Sequence, residues 1–202
     1  MGPDSRASIP PSEWGYFRHS DRFPNGSSRG EANSHGVHCR RALTDRRTFM
    51  QIIPGDLTDQ RVIDLLHYHL MTSRAHTAPG SAHASDLKGL RSPDINFWTA
   101  WDGEALVGMG ALKRLSEEHG EVKSMRTVQT AQRKRVGSAI LRHIISVARS
   151  GGVSRLSLET GSWDYFRPAV AFYRSHGFVE SPPFGDYVLD PNSIFLTLDL
   201  HK

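Results

Sequence analysis

Cysteine and long apolar runs are scarce in this chain of 202 residues. Its one cysteine, Cys39, lies in a polar segment near the start of the sequence, which excludes an intramolecular disulfide and leaves no thiol nucleophile for a folded domain. No apolar run approaches the length of a membrane span, and the apolar core of a secretory signal is missing. We therefore expect a cytoplasmic protein that does not enter a membrane.

Metal-ligand spacing is also missing. The eleven histidines are scattered without a His-x-x-x-His pair or a cysteine pair on one face, so we predict no metal site. His67 and His69 lie two residues apart in a predicted helix, where they point to different faces and are interpreted as surface or rim residues. Neither a Gly-Lys-Ser/Thr phosphate loop nor a Gly-x-Gly-x-x-Gly fingerprint occurs.

Aliphatic residues are rare over residues 1–49, where Pro, Gly, Ser and Asn are abundant. That segment has too little apolar surface to offset the entropy of ordering the chain. We predict a disordered Arg/Ser/Gly/Pro-rich tail over residues 1–49 and a single domain over residues 50–202. The tail holds eight arginines and five acidic residues, a net of +3 out of the chain's +4, so the domain itself is close to neutral.

The tail has three further interpretations. One takes it as sequence upstream of a true start at Met50, and a second takes it as a targeting extension, since it is poor in acids but has no sustained amphipathic pattern. A third makes the protein nucleic-acid-associated through its arginines. Those arginines are dispersed and have few aromatic neighbours, so we disfavour nucleic acid as a partner.

The first half of the domain is predicted to contain one helix and three strands. Residues 57–73 have apolar side chains at helical spacing, with Thr58 as the N-cap. Strands are predicted over residues 94–100 and 104–113, joined near Asp102-Gly103, because that pair accepts the positive φ of a hairpin turn. A third strand is predicted over residues 121–128.

The second half alternates between helix and strand. Residues 137–150 carry one apolar stripe and end at a Gly-Gly pair, which predicts a helix packed on a sheet. A strand over residues 154–159, a helix over residues 168–176 ending at Gly177 and a strand over residues 194–200 follow. The order predicts an α/β (α+β) domain with a mixed sheet.

The basic turn Gln132–Gly137 lies between a predicted strand and a predicted helix start. Backbone N–H groups converge at such a start, and the helix dipole adds partial positive charge, so the turn can hold a diphosphate. Arg133, Lys134 and Arg135 add positive charge. The alternative is a solvated basic run at a helix entry.

The turn resembles the CoA signature of the GNAT superfamily of N-acetyltransferases, Gln/Arg-x-x-Gly-x-Gly/Ala, with Gln132 first and Gly137 last. Arg135 stands where the family usually has its first glycine, so it must either keep a helical φ or hold the anion differently. The phrase Ala169-x-x-Phe172-Tyr173-x-x-x-Gly177-Phe178 is also similar to this superfamily. The asparagine often seen seven residues before that tyrosine is Phe166 here.

Longer phrases resemble the bacterial YsnE-type branch of these acetyltransferases, from about Met50 to the C-terminus. They include Phe97-Trp98-Thr99-Ala100-Trp101, His119-Gly120-Glu121-Val122-Lys123-Ser124-Met125-Arg126-Thr127, Leu156-Ser157-Leu158-Glu159-Thr160-Gly161-Ser162 and Asp190-Pro191-Asn192-Ser193. The resemblance implies a mostly antiparallel sheet with helices on both faces and two splayed strands that admit acyl-CoA. It also implies that acetyl-CoA, the cosubstrate, is held by Met125, Thr127, Gln132, Arg133, Lys134, Arg135, Val136, Gly137 and Ser138.

The resemblance makes Tyr173 the general acid that protonates the departing thiolate, with a core tyrosine as the alternative. An alkylammonium acceptor must lose a proton before it attacks, and at pH 7 this costs about 4 to 5 kcal/mol. Glu121 and Glu159 are the candidate bases. Either residue has a salt-bridged alternative, Glu121 with Lys123 or Arg126, and Glu159 has a second candidate role in binding the positive charge of the substrate.

These features predict an N-acetyltransferase that moves an acetyl group from acetyl-CoA to a primary amine of a small molecule by direct attack in a ternary complex. A non-catalytic CoA-binding sensor or interaction domain is the alternative. Homodimers are common among such acetyltransferases, but nothing in the sequence decides the oligomeric state. The polar residues expected on the acceptor side carry both charges and suit an amine with an acid or polar group: Lys123, Arg126, Glu159, Thr160, Ser162, Tyr187 and Asn192.

Overall fold

The computed structural model describes residues 50–77 and 87–201, and the predicted tail lies outside them. Seven strands are present in this part of the chain: β1 (Gln51–Pro54), β2 (Ile95–Asp102), β3 (Ala105–Arg114), β4 (His119–Thr127), β5 (Arg155–Gly161), β6 (Val179–Glu180) and β7 (Ser193–Asp199). Three α-helices accompany them: α1 (Gln60–Ala75), α2 (Val136–Ser150) and α3 (Arg167–Ser175). Short 3-10 helices occupy Gly89–Arg91, Gln129–Ala131 and Asp164–Phe166.

The described strands form a single sheet in the order β1-β2-β3-β4-β5-β7-β6. Its pairings are antiparallel except for that of β4 with β5, which is parallel. A parallel pair needs a crossover connection, and α2 provides it. The predicted mixed, mostly antiparallel sheet is confirmed.

The two faces of the sheet are covered by different helices. On one face α1 buries Val62, Leu65 and Leu66 against side chains of β2 and β3 that include Phe97 and Met109. On the other face, a larger cluster joins α2 and α3 to the opposite side of the strands. Its fully buried aliphatic side chains are Leu112, Ile140, Leu141, Ile144, Leu156, Leu158 and Leu196. In the described residues, no helix combines the length and apolarity needed to span a bilayer.

Helix and strand boundaries differ from the predictions by one to three residues at most ends. The predicted N-cap Thr58 is wrong, because Asp59 caps α1 by accepting the N–H of Arg61 at 2.9 Å. Thr58 instead donates its hydroxyl to Asp56 at 2.6 Å, within the turn that precedes the helix. The hairpin turn and the end of α3 follow the prediction, with φ of 59° at Gly103 and 89° at Gly177.

A β-bulge interrupts β4 beside its pairing with β3. Met109 pairs with Arg126 and Ala111 pairs with Lys123, so three residue steps on β4 match two on β3. Ser124, inside the bulge, has a φ of 52°. A bulge of this kind bends a strand and increases its twist.

The pairing of β4 with β5 stops early. It joins His119 to Arg155, Gly120 to Leu156 and Glu121 to Ser157, although both strands continue beyond those positions. The bulge at Ser124 follows directly on β4. The two strands therefore diverge and open a cleft near the centre of the sheet, in agreement with the expected splayed pair.

Gly161, at the end of β5, permits the ring of Phe166 to lie on the strand. A Cβ at this position would be in steric conflict with that ring, whereas a Cβ at Gly137 would meet Thr127 Oγ1 at 3.4 Å and Phe172 at 3.5 Å, which are ordinary contacts. Gly161→Ala should lower the free energy of unfolding by about 1 to 3 kcal/mol, since overpacking forces neighbours to move. Gly137→Ala, the matched control, should be neutral or slightly stabilising in a helix.

Chemical denaturation of both variants measures this difference. Adding Phe166→Leu to Gly161→Ala should recover part of the loss, because a smaller side chain leaves room for the new methyl group. Equal stability changes in Gly161→Ala and Gly137→Ala would contradict the assignment of Phe166 as the reason for glycine at this position.

Candidate active site

The cleft between the diverging strands has a volume of about 160 Å³. Its walls come from β4, the end of β5, α1, α3 and the loop before β7. The lining residues are His69, Ser73, Thr77, Glu121, Val122, Lys123, Ser124, Met125, Arg126, Glu159, Thr160, Gly161, Tyr165, Phe166, Ala169, Tyr173 and Tyr187. All three predicted catalytic residues, Glu121, Glu159 and Tyr173, are among them.

A compact polar cluster lies at the closed end of the cleft. Lys123 donates from Nζ to Glu121 Oε1 at 2.7 Å and to the Tyr187 hydroxyl at 2.9 Å, and that hydroxyl donates to Glu121 Oε1 at 2.6 Å. The Glu121 side chain is 3% exposed and that of Lys123 is 12% exposed. Burial, followed by the charge of Glu121, raises the pKa of Tyr187 far above its usual range, so its phenol stays protonated. The salt-bridged alternative for Glu121 is thus what the structure contains.

Glu159 lies beyond the last paired position of β5, where the strand borders the open cleft. Its Oε1 accepts the hydroxyl of Ser193 at 2.7 Å, and its side chain is partly buried. The charge of Glu159 also contributes to the raised pKa of Tyr187, so the two side chains act on each other across the cleft.

Tyr173 reaches the cleft from α3. Its residue is 7% exposed, and its ring packs edge-on against Phe172 and Phe178 at centroid distances of 5.2 and 5.6 Å. Burial raises the pKa of Tyr173 well above its usual range, because the phenolate is desolvated more than the phenol. The side chain therefore presents a protonated hydroxyl in the cleft at neutral pH.

Arg126 lies on the side of the cleft formed by α1. It donates from an Nη atom to the Tyr165 hydroxyl at 3.0 Å, and its guanidinium lies 4.7 Å from the centre of the Tyr68 ring. Its Nε is buried and has no hydrogen-bond partner in the described residues. Tyr165 stacks on His76 of the segment after α1, at 3.9 Å between centroids, so the contact joins the two sides of the cleft.

His69 was expected at the surface or rim, but the structure places it in the cleft wall. Its Nδ1 is buried and without a hydrogen-bond partner in the described part of the chain. Burial, followed by the charge of Arg126, lowers the pKa of His69 to about 4, so the imidazole is neutral at physiological pH. His67, by contrast, is exposed as predicted.

The basic turn lies outside the residues that line the cleft. Gln132, Arg133, Lys134 and Arg135 are exposed, and Val136 begins α2 as a buried residue. The N–H of Ala139 bonds to the Arg135 carbonyl at 3.0 Å, so the N–H groups of residues 136–138 precede the first intrahelical bond and are available to an anion. Gly137 lies close to Thr127 Oγ1, which connects this turn to the end of β4.

Arg135 does not adopt a helical φ, and it lacks the conformational freedom of glycine. Its φ is 64°, in the left-handed region, and Arg133 also has a positive φ of 61°. A left-handed conformation is costly for residues with a Cβ. The turn therefore takes the conformation for which glycine is best suited, although arginine occupies the position.

Backbone groups of β4 beyond its last pair with β5 face the cleft. Val128 donates its N–H to the Val107 carbonyl at 2.9 Å, and Arg126 pairs with Met109, so these residues direct their backbone groups toward β3. Backbone groups alternate between the two sides of a strand. Those of Thr127 consequently point toward the gap between β4 and β5, and Met125 lies beside the bulge at Ser124.

Five of the seven residues expected on the acceptor side line the cleft, and two do not. Ser162 and Asn192 hold loops together instead of lining the cleft: Ser162 donates to the Pro191 carbonyl at 2.8 Å, and Trp163 donates to Asn192 at 3.1 Å. The sequence reading missed Tyr165, which bonds to Arg126, and His69, which lies within reach of its charge, because each lies on an element distant from Arg126 in sequence. The sequence signal that could have located His69 is its position next to Leu70, a buried residue of the amphipathic helix α1.

The sequence matches the model of the acetyltransferase (GNAT) family over residues 65–178. It is 48% identical over 151 residues to the uncharacterised N-acetyltransferase YsnE of Bacillus subtilis strain 168, an alignment that covers 75% of this chain and 100% of the relative. It is also 48% identical over 145 residues to the uncharacterised N-acetyltransferase YedL of Escherichia coli K12, covering 72% and 91%.

Solved structures show the same fold at low sequence identity. An acetyltransferase of the GNAT family from Staphylococcus aureus Mu50 has a TM-score of 0.60 and 20% identity, covering 75% of this chain and 99% of the other. A GNAT family acetyltransferase from Elizabethkingia anophelis with acetyl-CoA bound has a TM-score of 0.55 and 16% identity, covering 74% and 97%.

The left-handed conformation of Arg135 gives a testable prediction. Arg135→Gly removes the strain of the side chain but increases the entropy of the unfolded chain, and the balance should stabilise the protein by up to about 1 kcal/mol. Lys134→Gly, its neighbour without a positive φ, is the matched control and should destabilise by about 0.5 to 1 kcal/mol. Denaturant midpoints compare them, and equal losses in both variants would contradict the strain at Arg135.

Proposed function

This chain belongs to the GNAT family of acetyltransferases, and we propose that it acetylates a primary amine of a small molecule by direct attack in a ternary complex with acetyl-CoA. The observation that carries the proposal is the convergence of Tyr173, Glu159 and the open edge of β4 on one cleft. These groups are a proton donor, a carboxylate and a set of backbone groups directed into the gap.

Acetyl-CoA supplies a thioester, an activated acyl group whose C–S bond breaks when the new C–N bond forms. The first-turn N–H groups of Val136, Gly137 and Ser138 suit its diphosphate, with charge from Arg133, Lys134 and Arg135 beside them. Gln132 begins the same turn. Backbone groups of Met125 and Thr127 suit the pantetheine chain and the thioester oxygen, where fixed N–H donors stabilise developing negative charge.

Tyr173 donates the proton that the departing sulfur needs. Burial raises its pKa, and the same burial disfavours the thiolate, so desolvation makes both the donor and the acceptor hold protons more tightly. The proton is therefore transferred from the phenol to the sulfur between two groups whose pKa values are both raised. Solvent returns the proton to Tyr173 after the product leaves.

Glu159 accepts the proton of the incoming ammonium, directly or through water. It borders the open part of the cleft, whereas Glu121 is almost fully buried and takes two hydrogen bonds on one oxygen. The Glu121–Lys123–Tyr187 cluster instead fixes the closed end of the cleft. Glu121 is thereby a positioning residue in this proposal, and Glu159 is the base.

Tyr173→Phe removes the proposed proton donor while retaining the ring that packs against Phe172 and Phe178. We expect a loss of kcat of about 10² to 10⁴-fold, the usual contribution of a positioned general acid, with an unchanged dissociation constant for acetyl-CoA. Free CoA thiol released from a mixed amine library measures turnover, and calorimetry measures binding. Micromolar binding without turnover in either protein would favour the alternative of a CoA-binding sensor.

Glu159→Gln should lose activity at neutral pH and regain it as the pH rises toward about 10, where the free amine no longer needs a base. Glu121→Gln should not show that recovery, because its effect is on the structure around Lys123. It should lower the free energy of unfolding by about 3 kcal/mol, since the buried ammonium loses its paired charge. A pH–rate profile of Glu159→Gln parallel to wild type would exclude it as the base.

A further inference from the structure

We propose that the amine acceptor carries a carboxylate and that Arg126 binds it, on the α1 side of the cleft. The acceptors would thus be molecules that contain both an amine and a carboxylate, and the products would be their N-acetyl derivatives. This inference rests on the proposed function, because it assumes that the cleft receives the acceptor. It assigns a specificity-determining role to a residue outside the proton transfers described above.

Arg126 is a partly buried cation without a carboxylate partner in the described residues. Its polar contact is the Tyr165 hydroxyl at 3.0 Å, and its other neighbour is the Tyr68 ring at 4.7 Å. Its Nε is buried and makes no hydrogen bond in the part of the chain that the structure describes. A partly buried cation gains from a counter-ion, and an anion in the cleft would supply the one that Arg126 lacks in the described residues.

The charges that line the cleft point to the same conclusion. Lys123 is paired with Glu121 at 2.7 Å, and His69 is neutral because its pKa is lowered to about 4. The other carboxylate of the wall, Glu159, accepts the hydroxyl of Ser193, and Arg126 forms no ion pair within the described residues. One added negative charge near Arg126 makes the α1 side electrically neutral.

A carboxylate matches this site better than a phosphate does. A guanidinium presents its N–H groups as a planar fork that fits the two oxygens of a carboxylate. A phosphate group carries about −1.5 to −2 charges and would face one guanidinium, two phenols and a neutral imidazole.

The cleft separates the two ends of such a substrate. Arg126 holds the acid near α1, while Glu159 and Tyr173 lie where the amine must meet the thioester. Tyr165 holds the guanidinium in place and is itself stacked on His76 at 3.9 Å. The distance between Arg126 and the reacting centre thus selects how many bonds separate the carboxylate from the amine.

The test uses the full chain with acetyl-CoA, a panel of α-, β- and γ-amino acids, and the carboxamide of each one. Wild type should have a lower KM for the acid than for its amide, although the α-amides lose their ammonium proton more easily. Arg126→Gln should raise KM for the acid roughly ten- to a hundredfold, the range for a lost hydrogen bond to a charged group, and change KM for the amide less than about twofold. The KM of Arg126→Lys for the acid should lie between the values of wild type and Arg126→Gln, because lysine keeps the charge but lacks the planar fork.

Arg142→Gln is the matched control, since Arg142 is exposed on α2 and away from the cleft. It should leave both KM values unchanged. If Arg126→Gln proves unstable in thermal unfolding, Tyr165→Phe replaces it: loss of the hydroxyl that holds the guanidinium should raise KM severalfold for acids and not for amides. A preference of wild type for amides, or equal losses for acids and amides in Arg126→Gln, would overturn the inference.

Binding measurements separate this inference from the proposed function. Calorimetric titration of the same amino acids into the protein with CoA requires no turnover. If wild type binds the amino acids, Arg126→Gln does not, and no amine releases thiol, the result would support the anion site and contradict the transferase. If amines with and without a carboxylate release thiol equally well, the result would support the transferase and overturn the anion site.

Discussion

The early end of the pairing between β4 and β5 is the constraint on which the rest of the site depends. Three residue pairs hold the strands together up to Glu121 and Ser157, and beyond them the hydrogen-bonding edge of β4 faces open space. Backbone groups without a partner are costly when buried, so such an edge in the middle of a sheet must be satisfied from outside the sheet. An extended acyl carrier can supply those bonds.

The bulge at Ser124 and the packing of α3 hold this gap open. Two strand steps on β3 match three on β4, which turns β4 away from β5 just after the last parallel pair. On the other side, α3 delivers Tyr173 to the cleft and is itself packed through Phe172 and Phe178. The shape of the cleft thus follows from the bulge in the β3–β4 pairing and from the aromatic packing beside it.

Charge in the cleft is arranged in two parts with different purposes. At the closed end, the Glu121–Lys123 pair and the Tyr187 hydroxyl satisfy one another and need no ligand. On the α1 side, Arg126 has two phenolic neighbours, and its buried Nε has no acceptor among the described residues. The first arrangement fixes the shape of the site, while the second leaves a guanidinium without a carboxylate partner in the described residues. Arg135 carries a local backbone cost at the start of α2, with a φ of 64°.

The sequence by itself determined most helices and strands of the described residues and identified the family. Apolar periodicity located the three α-helices and five of the strands, because a single face of each is buried and the pattern is local. It missed β1 and β6, which have four and two residues and carry no periodic signal. Motif spacing placed Tyr173 and the basic turn, since each motif lies within one connected segment.

Only the tertiary structure decided which charges meet. Glu121 and Lys123 are close in sequence, but Tyr187, 66 residues after Glu121, completes their cluster. Arg126 could be expected to pair with Glu121, yet the bulge at Ser124 and the approach of α1 place it beside Tyr68, Tyr165 and His69. Contacts between side chains far apart in the sequence depend on the relative positions of whole elements, and no local pattern encodes those positions.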